Sequence, residues 1–89
     1  MGVLIMYDKK YRLIDIETEK YNPMHEEILH KVCYPAYFVI GERGWFLCEV
    51  NEWTGGTHRI HTSLVDNILY ADNQFIVVTE NTKYVFELI

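Results

Sequence analysis

From residue 36 onward, short runs of β-branched and aromatic residues alternate with polar turns, and this punctuation constrains the fold more than any other feature of the chain. Residues 36–40 and 45–50, joined by a turn at Gly41-Glu42-Arg43-Gly44, predict a hairpin. Residues 51–56 predict a loop, 57–62 a strand, 66–70 an extended segment and 71–73 a turn. Residues 74–80 and 83–89 then pair across Asn81-Thr82. Phe75, Val77 and Thr79 share one face of the first strand, and Tyr84, Phe86 and Leu88 one face of the second. Upstream, residues 3–7 and 11–18 flank the polar Asp8-Lys9-Lys10 and predict another hairpin. Two-residue alternation in its second strand sends Ile14 and Ile16 to one face and Asp15, Glu17 and Glu19 to the other.

One helix interrupts the strands. Asn22 supplies an N-cap, Pro23 fits the first helical position, and Glu26 and Glu27 sit near the positive end of the helix dipole. Met24, Ile28, Leu29, Val32 and Cys33 follow helical spacing toward a core, with His25, His30 and Lys31 nearer solvent. Tyr34-Pro35 ends the helix, because proline pushes the preceding residue out of the helical region. The fold class expected is α+β: an antiparallel, strongly twisted sheet or small open barrel of about six or seven strands, with one short helix over residues ~23–33 covering an opening.

At 89 residues the chain has room for a single domain spanning residues 1–89. Its hydrophobic share of 49% and charged share of 24% are those of globular domains, which sets aside disorder, collagen-like repeats and a disulfide scaffold. The net charge of −5, with scattered Lys and Arg, opposes direct nucleic-acid binding, which needs clustered cations. No basic segment precedes the first apolar run, position 6 is Met rather than the Ser or Thr of a myristoylation signal, and no apolar run nears the ~18 residues of a membrane span. The expectation is a cytoplasmic protein, away from membranes, whose Cys33 and Cys48 are reduced, buried thiols.

His30-x-x-Cys33 and His58-x-x-His61, with Cys48, suggest a zinc donor set. On a strand, however, His58 and His61 point to opposite faces, and no C-x-x-C knuckle compensates. Neither a metal nor a cofactor is expected. Ser63 is the only serine and lacks a nucleophile elbow, and there is no P-loop or dinucleotide fingerprint, so no catalytic residue is assigned. Asp15, Glu17 and Glu19 read either as a solvated face that blunts edge pairing or as an acidic contact surface, with carboxylates about 6.5–7 Å apart. Seven Tyr, four Phe and two Trp exceed what so small a core can bury, which marks Trp45 and the loop residue Trp53, beside Gly55-Gly56, as binding anchors, with Trp53 reading equally as a loop side chain that folds back to cap the core.

The segment HTSLVDNILYADNQFIVVTENTKYVFELI, residues 61–89, carries a TS-x-V turn (Thr62, Ser63, Val65) and a T-x-N-T-x-Y hairpin (Thr79, Asn81, Thr82, Tyr84). It resembles the closing strands of small β-rich accessory proteins of phages and mobile elements, over about a third of the chain. Such a resemblance implies binding to host proteins, including inhibition of restriction or other defence systems, rather than enzymatic activity. Physically, the motif would place Asn81 in the left-handed region of a tight turn.

The function expected is therefore a non-enzymatic intracellular protein-binding module acting through Asp15, Glu17, Glu19, Trp45 and Trp53, with a phage-type inhibitor of a host defence protein as its specific form. One alternative is a small metal-dependent hydrolase or nuclease using His58 or His61 with Asp15 or Glu17. Another is a structural subunit that self-assembles through exposed aromatic strands.

Overall fold

A computed structural model describes residues 3–4, 9–51 and 56–89. The strands are β1 (Val3–Leu4), β2 (Tyr11–Thr18), β3 (Val32–Val39), β4 (Arg43–Asn51), β5 (Gly56–Ala71), β6 (Gln74–Thr79) and β7 (Thr82–Leu88), with one helix, α1 (Pro23–Ile28), between β2 and β3. From β2 to β7 each strand pairs antiparallel with the next, and β7 pairs back onto β2. The result is a closed six-stranded up-and-down barrel, β-rich with very little helix, where an open α+β arrangement was expected. Closure satisfies backbone groups that an open sheet leaves at its edges. β1 pairs with β3, at Val3↔Val39 and Leu4↔Phe38, and not with β2 as the expected first hairpin required. No helix among the described residues is long and apolar enough to cross a membrane.

Helix α1 starts as its sequence dictates: the Met24 N–H donates to Asn22 Oδ1 at 3.0 Å, and Pro23 opens the first turn. It ends earlier than expected, at Ile28 rather than near residue 33. Leu29 is extended and His30 is left-handed (φ 69°), which turns the chain so that Val32 and Cys33 enter β3. Pro35 is tolerated inside β3 because there the strand pairs with β4 alone; its partners in β2 and β1 lie at residues 32–33 and 38–39.

Bulges set which side chains point inward. Between Leu13 and Asp15 the register to β7 shifts, so Leu13 faces Phe86 and Ile16 faces Tyr84, both inward, while Ile14 is left outside the alternation. β5 is a single strand of 16 residues where a turn at Thr62-Ser63 was expected. Its first part pairs with β4, and from Val65 it pairs with β6, with a bulge between Val65 and Asn67. Thr62 is buried inside this strand, accepting from the Gly44 N–H at 2.9 Å and donating to the Ser63 carbonyl at 2.7 Å.

Four phenylalanines fill the barrel. Phe86 stacks on Phe75 at 4.7 Å between centroids and meets Phe46 edge-on at 5.2 Å, and Phe38 leans on all three. At the end where β7 begins and β2 finishes, Ile28 of α1 enters the core fully buried and Met24 packs beside it.

Candidate functional site

The interior is occupied by apolar rings, so any contact surface lies on outward positions. Trp45 is one of these. On β4 it is register-paired with Tyr37 of β3 and His61 of β5, and the next outward row is Tyr34, Leu47 and Arg59. The Arg59 guanidinium lies 4.2 Å from the Trp45 ring centroid, a cation–π stack that holds the two side chains against one another. Tyr37, Trp45, Tyr34 and Leu47 are half-buried, while Arg59 and His61 are exposed. The Tyr37 hydroxyl donates to Glu42 at 3.1 Å, and partial burial followed by the Glu49 carboxylate pushes the Tyr34 hydroxyl up from its ordinary pKa. This face presents two aromatic–apolar rows bordered by one cation and one imidazole.

The acidic residues are elsewhere. Asp15 and Glu17 are exposed on the outer face of β2, and Glu17 Oε2 lies 3.3 Å from Lys83 Nζ on β7. That solvent-exposed pair contributes little to stability, but it offsets one of the three charges. Glu19 lies past the end of β2, in the bend that leads to α1. The three carboxylates therefore do not form one row, and they lie on β2 and the bend after it, outside the β3–β4–β5 face that carries Trp45. Trp53 lies outside the described residues.

Register also separates the two histidines: His58 is opposite the inward Cys48, and His61 opposite the outward Trp45. β2 and β5 stand on opposite sides of the six-stranded ring, so neither histidine is brought to Asp15 or Glu17. Among the described residues no group of three His, Cys, Asp or Glu is placed to hold a metal.

A groove of about 510 Å³ lies between the start of α1 and β5, lined by Tyr21, His25, Arg59, His61, Asn81 and Tyr84 among others. The motif residues of the C-terminal third meet here. Asn81 Nδ2 donates to Ser63 Oγ at 2.8 Å, the Thr18 hydroxyl donates to the Asn81 carbonyl at 3.0 Å, and Thr82 reaches Thr18 at 3.2 Å. Asn81 does not take the left-handed conformation expected of it; the reverse turn is held instead by Thr79, whose hydroxyl donates to the Thr82 carbonyl and accepts from its N–H. No local pattern announces that Thr18, Ser63 and the Asn81-Thr82 pair come together, since 18 to 64 positions separate the bonded partners.

His25 is the groove's perturbed imidazole. Its ring meets Tyr84 edge-on at 5.9 Å, and its Nδ1 is buried without a hydrogen-bond partner among the described residues. Burial holds its pKa below the ordinary 6.5. The native state thus resists protonation that the unfolded chain accepts, so the unfolded state binds more protons below pH 6.5 and stability falls as pH drops through that window. Melting curves from about pH 7 to about pH 5 should fall less steeply for His25→Gln than for the unsubstituted protein. Equal slopes would show that His25 titrates normally.

No family model, no curated protein and no solved structure matches this chain. Of the surfaces described, the groove concentrates polar groups that are largely satisfied by one another. The Trp45 face concentrates apolar and aromatic area that nothing in the barrel needs for its core.

Proposed function

We propose that this barrel is a non-enzymatic protein-binding module whose principal contact face is the outward Tyr37–Trp45–His61 and Tyr34–Leu47–Arg59 rows. The observation that carries the reading is the Arg59 guanidinium, reaching from the border of that face to stack on Trp45 at 4.2 Å. Trp, Tyr and Arg dominate the energetics of protein interfaces because they pair large apolar area with directional polar groups at low entropic cost. Arg59 and His61 on the exposed border suit a partner with an apolar centre and a carboxylate at its rim. Asp15, Glu17 and Glu19, on β2 and the bend after it, form a separate acidic surface that steers association. The resemblance of residues 61–89 to phage and mobile-element accessory proteins extends the proposal to a host defence protein as the target and to inhibition as the outcome.

The test begins with the immobilised protein capturing a partner from host lysate, followed by titration of the purified partner. Trp45→Ala should weaken binding by about 30-fold, about 2 kcal/mol, whereas Glu17→Lys should change chiefly the association rate and its salt dependence. Binding unchanged by Trp45→Ala would sink the proposed face. Self-association that Trp45→Ala abolishes, seen by light scattering, would replace a foreign partner with a second copy of the chain.

A further inference from the structure

Cys33 and Cys48 stand directly opposite one another on β3 and β4, with their sulfur atoms 3.1 Å apart and both side chains fully buried. Directly opposed residues of an antiparallel pair have Cα atoms about 4.5–5.5 Å apart, inside the range a disulfide spans. Only about 1 Å of further approach separates the two sulfurs from bonding distance. We infer that Cys33 and Cys48 form a redox site which hydrogen peroxide oxidises to an intramolecular cross-strand disulfide.

The surroundings assign different roles to the two thiols. The S–H···S contact between the two sulfurs, in which either can donate, lowers the pKa of Cys48 against the opposing effect of its burial, aided by the charge of Lys31. The same contact raises that of Cys33, with burial adding to it. Cys48 is the attacking sulfur. Its thiolate takes one oxygen from the peroxide as the O–O bond breaks, and the departing hydroxide picks up a proton to leave as water, giving a Cys48 sulfenic acid. The Cys33 sulfur then attacks that of Cys48. The S–S bond forms, the S–O bond breaks, and the hydroxide leaves with the Cys33 proton as a second water. Two thiols are oxidised, one peroxide is reduced, and two waters are released.

Burial selects the oxidant by size. Cys48 Sγ lies 3.9 Å from the Ile28 carbonyl at the end of α1, and Cys33 Sγ 3.6 Å from the Lys31 carbonyl, so the chain from Ile28 to Lys31 covers the pair. Local opening there admits a molecule little larger than water but not a tripeptide disulfide. The bond would pin β3 to β4 beside the thinnest join of the barrel, where β2 and β3 share two residue pairs, Tyr11↔Cys33 and Arg12↔Val32.

Intact mass spectrometry of the peroxide-treated protein tests the inference. The expected product has lost two hydrogens and yields a linked Cys33–Cys48 peptide on non-reducing digestion. Its melting temperature rises by on the order of 10 °C, and dithiothreitol reverses the rise. Cys33→Ser, treated identically, should hold Cys48 as a sulfenic acid that dimedone traps; the wild-type mass result stands whether or not this variant folds. Free thiols at both positions, after exposure that has already converted Met24 to its sulfoxide, would overturn the inference. So would disulfide-linked dimers or oxygen added to each sulfur without linkage.

Discussion

Phe86→Ala should lower the unfolding free energy by about 4 kcal/mol. Phe86 is fully buried, and its ring contacts Phe75 at 4.7 Å, Phe46 at 5.2 Å, Phe38 at 6.2 Å and Tyr84 at 6.4 Å between centroids. These neighbours come from four different strands, β6, β4, β3 and β7, so no single movement can collapse the cavity that alanine leaves. Domains of this size are stable by roughly 5–10 kcal/mol, so one such loss brings the protein close to its midpoint. Phe86→Leu retains most of the volume and should cost about 1 kcal/mol. Urea titrations with an unchanged denaturant slope would measure both. A loss below about 1.5 kcal/mol for Phe86→Ala would mean that this ring is not the centre of the core.

Gly44→Ala should cost about 2–3 kcal/mol, although it adds only one methyl group. A Cβ at position 44 would lie 2.5 Å from Phe38 Cδ1 and 2.9 Å from the carbonyl oxygen of Tyr37. Retreat of the backbone is opposed by the hydrogen bond from the Gly44 N–H to Thr62 Oγ1. The ring can give way; the carbonyl, held in β3, cannot. Combining Gly44→Ala with Phe38→Leu should therefore recover part of the coupling but not all of it, giving a loss smaller than the sum of the two single losses. Strict additivity would show that the clash with Phe38 is not the source.

Where neighbouring residues decide structure, the sequence could be read. The β6–β7 pairing followed from simple alternation, and the Asn22-Pro23 start of α1 from capping chemistry. Errors arose where distant residues decided. Ile28, Leu29, Val32 and Cys33 have helical spacing, but Val32 and Cys33 are taken up by β3, with Cys33 opposite Cys48. Thr62-Ser63 is polar enough to suggest a turn, yet Thr62 faces inward because the Gly44 N–H needs an acceptor there. The bulge that puts Ile14 out of step with Leu13 and Ile16 depends on β7, some seventy positions away. The same limit applies to the site. Trp45 is conspicuous in the sequence, but its companions come from two other strands, and the acidic residues grouped with it there belong to a different face of the ring.

Ring closure also shapes how the chain reaches its fold. Pairings from β3 through β7 join strands that are neighbours in sequence and can zip up in order. The β2–β7 pairing is of another kind: Thr18 and Thr82, in contact through their hydroxyls, are 64 positions apart. The pairing widens from there to Tyr11↔Leu88, 77 positions apart, so it carries the largest loop entropy of the strand pairings among the described residues and is repaid only once most of the other strands are in place. Until then β2 and β7 are open edges, exposed in the nascent chain although hidden in the finished barrel.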